Sequence, residues 1–254
     1  MLEVLSLLPS HWQWLVYFGC AMLIGMSKSG IQNIGTLTVP LFALIFGAKL
    51  STGIVLILLI MADLLAVIYY RKKFIWAEVT KLMPLALVGL ITGLLLGLHV
   101  DDRAFKVAIG ICILVSVSFM FILNKVSESA QSKLISKPWY APLFGWLLGF
   151  STMIGNAAGP ALSVYMLSKR MDKIAFAATS AWFIFILNMV KVPLQLFVWD
   201  NIIWNGIFLN LLAIPFIMIG FFLGLKIIDK LPEKSFRGLI QVLVILSSIL
   251  LIIL

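Results

Sequence analysis

Charge is scarce in this chain. Aspartate, glutamate, lysine and arginine make up 11% of its 254 residues, where a soluble domain carries about 25%. A water-soluble globule is excluded on that count. Acids are scarcer than bases, ten against nineteen, giving a net charge of +9. Cysteine and histidine are nearly missing. Cys20 and Cys112 both fall inside apolar runs, which excludes a disulfide framework and reads as packing. His11 and His99 stand at the ends of such runs with no further ligand type nearby, so no metal or other cofactor is expected. The same poverty leaves no Ser/His/Asp set, and the chain is not read as an enzyme. No GxxxxGK[ST] sequence occurs, which excludes an ATP-driven pump for this chain alone. No repeated basic ring is present to line a passive anion channel.

Hydrophobic residues fill the space, at 63% of the chain. Runs such as GIVLILLIMADLLAVIYY (53–70) and LMPLALVGLITGLLLGL (82–98) match the roughly 20 residues a helix needs to cross a bilayer. Ten apolar segments are readable: 12–27, 34–47, 50–70, 82–99, 104–123, 139–154, 159–168, 174–197, 204–226 and 236–254. The second, sixth and seventh are short for a full crossing. The first begins near Trp12 without a basic leader and is read as a span, not a signal peptide.

The polar stretch NKVSESAQSKLISKP (124–138) divides the chain into halves, 1–123 and 139–254, and is read as a cytoplasmic linker. The halves are alike in order. TLTV (36–39) resembles ALSV (161–164), GLITGLLLG (89–97) resembles FIMIGFFLG (216–224), and DDRAFK (101–106) resembles PEKSFR (232–237). At that offset Asp63 stands opposite Asn188. With the RKK loop (71–73) cytoplasmic, alternation puts fourteen Lys/Arg inside and three outside, with Lys28 and Lys191 within the membrane. Both termini come out external. An odd number of segments per half makes the halves inverted repeats, the plan of many secondary transporters. The expected fold is therefore an all-α polytopic membrane protein of two inverted-topology repeats, about five segments each, with broken or re-entrant helices meeting near the midplane. The basic loops belong to topology and anionic lipid, not to nucleic acid. Membrane lipid is thus an expected partner, and the sequence leaves homo-oligomerisation open.

Two stretches break the pattern. GMSKSGIQNIG (25–35) and GFSTMIGNAAGP (149–160) each begin Gly-x-Ser, carry small and polar residues, and precede a short apolar helix. Irregular backbone at membrane depth is tolerated where it is buried in protein or lines a wet cavity. Helix starts near Asn33–Gly35 and near Ala158–Gly159 would aim free N–H groups at a common point, which favours an anion. Lys28 adds a full charge. Ser27, Ser29, Gln32, Asn33, Ser151, Thr152 and Asn156 are candidate donors. The competing reading is that the small residues serve packing and that Lys28 snorkels to the interface. Asp63, inside segment three, either pairs with Lys28 or Lys191 or carries a proton. Pro193 is expected to kink segment eight, so that Asn188, Lys191 and Gln195 face one cavity. Tyr and Trp near 69–76 and 199–204 read as interface anchors.

GMSKSGIQNIGTLTVPLFA (25–43) resembles the first-repeat motif of the sulfite exporter TauE/SafE family, and GFSTMIGNAAGPALSVYML (149–167) followed by TSAWFIFILNMVKVPLQ (179–195) resembles its second. The resemblance spans nearly the whole chain. It implies a secondary transporter, an exporter, of a small sulfur-containing anion such as sulfite, sulfoacetate or a related organosulfonate, in a bacterial-type inner membrane. It carries over to Ser27, Lys28 and Gly30, to Thr152, Asn156, Ala158, Gly159 and Pro160, and to Trp182, Asn188, Lys191 and Pro193. Where the family often has a small residue or Pro-Gly, this chain has Gln32-Asn33, which leaves the anion's identity open. A proton-coupled importer, with Asp63 as carrier, uses the same parts.

Overall fold

The computed structural model describes residues 7–101, 128–232, 234–236 and 238–242, with 104, 107, 111, 115, 118 and 122. Most of segments five and ten, together with Cys112, Arg103, Lys106, Lys125 and Arg237, lies outside the described residues. Every described element is a helix: α1 (His11–Lys28), a 3-10 turn (Gln32–Leu37), α2 (Thr38–Phe46), α3 (Ala48–Tyr69), α4 (Trp76–His99), α5 (Glu128–Ile135), α6 (Tyr140–Gly155), α7 (Gly159–Ser168), α8 (Lys173–Phe197), α9 (Trp204–Leu212) and α10 (Ile214–Lys230). Three of them, in α3, α4 and α8, are long and apolar enough to cross a membrane.

Local chemistry sets the boundaries. Gln13 Oε1 accepts from Ser10 N–H at 3.1 Å and opens α1. Asp172 Oδ1 accepts from the N–H groups of Ile174 and Ala175, each at 2.9 Å, and opens α8. That helix runs on through Pro193 to Phe197 without a break in its assignment. The apolar segment 204–226 holds two helices. The chain turns by 51° between α9 and α10, with Pro215 in the first turn of α10. A proline there cannot donate back to the preceding helix, so the two pieces part.

α2 and α7 have nine and ten residues. At about 1.5 Å per residue each is roughly half the 30 Å hydrocarbon thickness. Each is joined to the preceding helix by a short irregular stretch. Around them the longer helices pack closely across the sequence halves, α1 against α10 and α4 against α6. Glycine makes this approach close. A Cβ built on Gly25 would lie 2.0 Å from Ile217 O, one on Gly220 would lie 1.9 Å from Met22 O, and one on Gly149 would lie 1.8 Å from Ala86 O. Such backbone-to-backbone contact is how membrane helices gain dispersion energy without a hydrophobic drive.

The apolar interior falls into clusters. One joins α4, α6, α7 and α8 around Leu82, Phe144, Leu162 and Phe183. Another joins α1, α2, α3 and α9 around Tyr17, Phe42, Leu58 and Leu209. Large side chains such as Ile91, Leu95, Ile219 and Phe222 stay exposed on the outer faces of α4 and α10, as expected of surfaces bathed in lipid. The interface-anchor reading divides here. Tyr69, Trp76 and Trp204 are exposed, but Tyr70 is buried and donates to Ser29 O at 2.5 Å, while Trp199 donates to Leu94 O at 3.2 Å.

Candidate functional site

The two broken stretches meet. After Lys28 the chain leaves α1, passes Gly30 at φ +122°, makes the 3-10 turn and enters α2 at Thr38. A side chain at Gly30 would be strained and would also strike Ile228 Cδ1. The first α-helical start therefore lies several residues beyond the expected Asn33–Gly35, because the 3-10 turn intervenes. The second break is tighter. Asn156 takes the left-handed conformation at φ 53°. Its N–H donates to Thr152 O at 3.0 Å, the bond of a left-handed (αL) helix ending, and that of Ala157 donates to Ser151 O at 3.2 Å. α7 then starts at Gly159 as expected. Among the described residues, the N–H groups of Ala158 and Gly159 have no backbone acceptor.

A cavity lies between the breaks, walled by α1, the 3-10 turn, α2, α3, α7 and α8. Its volume is about 60 Å³, against the roughly 10–15 Å³ that seats one water. A few waters or one small ion fit. Of the residues proposed from sequence, Ser27, Lys28, Gly30, Thr152, Asn156, Ala158, Gly159 and Asn188 line it.

Ser29, Asn33, Lys191 and Asp63 do not line it. Ser29 Oγ donates to Met26 O at 2.7 Å, facing away toward α10. Asn33 Nδ2 donates to Ser163 Oγ at 2.8 Å and ties the first break to α7. The side chain of Gln32 lies outside the described residues. Asp63 is 0% exposed, and Lys28 Nζ meets its Oδ1 at 2.7 Å. Asn188 Nδ2 donates to its Oδ2 at 2.7 Å. Of the two partners the sequence left open for Asp63, the structure pairs it with Lys28.

Lys191 is 0% exposed and stands behind the wall, donating to Asn156 Oδ1 and, at 3.3 Å, to Thr152 Oγ1. Gln195 is buried away from the cavity as well. The expectation that Asn188, Lys191 and Gln195 share one wall therefore holds only for Asn188. Spaced i, i+3 and i+7 on an α8 that stays regular past Pro193, they share one helix face, but they spread roughly 10 Å along its axis, and only Asn188 stands at the level of the cavity.

Some expected donors are already spent. Ser27 Oγ donates to Ile24 O and Ser151 Oγ to Leu147 O, both at 2.7 Å. Asn156 Nδ2 donates to Thr52 O at 3.1 Å. Thr152 accepts from Lys191, which leaves its hydroxyl hydrogen to give. Three polar lining residues escaped the sequence reading, Thr36, Thr38 and Ser180, and Ser180 Oγ is buried without a hydrogen-bond partner among the described residues. Thr36 could have been found from its place in TLTV, opposite ALSV. Nothing in the sequence marks Ser180.

A small cavity at paired helix breaks, with polar side chains among its lining residues, one lysine in its wall and another behind it, suits a small anion. The model of one protein family matches residues 17–251, and its description is sulfite exporter TauE/SafE. The chain belongs to that family. Neither a curated protein nor a solved structure matches it. Membership makes this TauE/SafE chain a multi-pass membrane protein and, in general terms, a transporter of sulfur-containing anions working in lipid.

Proposed function

We propose that this TauE/SafE protein exports sulfite or an organosulfonate as a secondary transporter, with two inverted repeats rocking about the cavity between the breaks. The single observation that carries the reading is the convergence of both broken stretches on one small cavity with Lys28 in its wall. Two further contacts support it. Gly25 and Gly149, equivalent in the two motifs, each press against the backbone of the other half's helix. Asp63 and Asn188, opposite in the repeat alignment, hydrogen-bond each other. The anion would take hydrogen bonds from the Ala158 and Gly159 N–H groups, Ser180, Thr152 and the free protons of Lys28.

Outward movement needs no second substrate. A membrane potential, inside negative, is worth about 2.3 kcal/mol per charge per 100 mV, roughly fortyfold in concentration. Both termini would be external and the 124–138 stretch cytoplasmic, in a bacterial-type inner membrane. The proton-coupled reading gains nothing from Asp63, which is shut from the cavity and engaged by Lys28 and Asn188.

The test is efflux. Vesicles loaded with sulfite or methanesulfonate and containing the purified chain should lose it faster than empty vesicles, and faster still with the potential negative inside. Flux equal to that of empty vesicles for every sulfur oxyanion tried would remove the proposal.

A further inference from the structure

Three ionisable side chains share the interior around the cavity. Among the described residues, the charges acting on Asp63 are those of Lys28 and Lys191, and those acting on Lys191 are Lys28 and Asp63. Lys28 and Asp63 are in direct contact at 2.7 Å, so much of Lys28's charge is answered within the protein. Lys191 has no such partner. Among the described residues no carboxylate lies within 4.0 Å of its Nζ, and its partners are a hydroxyl and an amide oxygen. Both belong to cavity-lining residues, Thr152 and Asn156. Asn156 is held in that orientation, because its Nδ2 is committed to Thr52 O. The lysine therefore sits one side-chain layer behind the wall, aimed toward the space an anion would fill.

A buried charge persists when something nearby compensates it. We infer that Lys191, and not Lys28, supplies the counter-charge for the transported anion, and that the occupant is a small monoanion. This rests on the anion-transport reading above and sharpens it. Two lysines and one aspartate leave a single net positive charge. A monoanion cancels it. A dianion of similar size leaves an uncancelled negative charge in a water-poor interior, where it costs far more than in solvent. Ser180 offers its unspent hydroxyl to the same occupant.

The experiment is calorimetric titration of the purified full chain at neutral pH with methanesulfonate as monoanion probe and sulfate as dianion probe. Methanesulfonate should bind at least about tenfold more tightly, the size a unit charge roughly 12 Å away carries at an effective dielectric near 20, a nearer charge being worth more. Lys191→Met should weaken methanesulfonate by about tenfold or more on the same ground. The Lys28→Met/Asp63→Asn double variant removes the ion pair and the Lys28 hydrogen bonds but keeps the net charge, so whatever affinity it loses, its preference for methanesulfonate over sulfate should stay within about threefold of wild type. Asp63→Asn alone raises the net charge to two and should move the preference toward sulfate. If Lys191→Met does not fold, the other two variants decide. Equal or tighter wild-type binding of sulfate overturns the inference. So does loss of the preference for methanesulfonate over sulfate in the double variant. If wild-type protein binds neither probe nor sulfite, the transport reading fails first and this one falls with it.

Discussion

The two breaks carry similar sequences and hold them by different means. The first, 25–35, depends on an ion pair and on a glycine with positive φ. The second, 149–160, depends on one asparagine that is at once a left-handed helix ending, an acceptor for Lys191 and a donor to α3. Each has a lysine. Lys28 is on the break itself and is answered by an acid. Lys191 comes from α8 and is answered by neutral groups. The contrast teaches that a motif repeated in sequence need not repeat its chemistry: one half spends its charge inside the protein, and the other keeps its charge available.

The sharpest way to break that contrast is Lys28→Met. It strands Asp63, which is fully buried, and removing one partner of a buried pair costs about 3–5 kcal/mol. Restoring neutrality with Asp63→Asn should return most of that. Thermal unfolding in detergent compares the two, and an equal melting temperature for single and double variants would show that the pair contributes nothing to stability.

Asn156→Ala comes next. It loses the left-handed ending and two part-buried hydrogen bonds, an expected loss of about 1–3 kcal/mol per stranded polar group. Asn156→Gly keeps the backbone conformation and should be the milder change. At the first break, Gly30→Ala should destabilise by about 1–3 kcal/mol through positive-φ strain. If Asn156→Gly melts no higher than Asn156→Ala, the conformation is not what the asparagine supplies.

A smaller effect is expected at the wall. Ser180→Ala should weaken the bound anion by about 0.5–1.5 kcal/mol, the worth of one hydrogen bond, while leaving unfolding near wild type. Titration with methanesulfonate measures it, and unchanged affinity would take Ser180 out of the site. The smallest effect belongs to Lys81→Met. Its pair with Glu78 at 2.7 Å is largely exposed on the lysine side, and such pairs are worth about 0–1 kcal/mol. Glu78 keeps its bond from Tyr165 OH at 2.7 Å, so neither unfolding nor flux should change measurably.

Much of the fold was legible because lipid imposes simple rules. Long apolar runs had to be helices, and the two Gly-x-Ser stretches had to interrupt them. The bend at Ala213 was not legible, because the apolar run is unbroken there and only Pro215 hints at it. Of the site, the breaks and the lining positions Lys28, Thr152, Asn156 and Asn188 were readable from residue type. Ser180 was not, since a lone serine in an apolar helix has no periodic signature.

The sequence by itself determined that this chain lies in a membrane, is helical, and sets two polar breaks among apolar segments. Hydropathy and glycine placement are local properties, and they suffice for that. Tertiary structure decided which charges meet. Lys28 and Lys191 look equivalent on paper, each a cation in an apolar run. Asp63 lies 35 residues from one and 128 from the other along the chain, and only the packing of α3 beside α1 and α8 gives it to Lys28 and leaves Lys191 with neutral partners. Electrostatic pairing depends on distances of a few ångströms between distant residues, and those are properties of the folded chain alone.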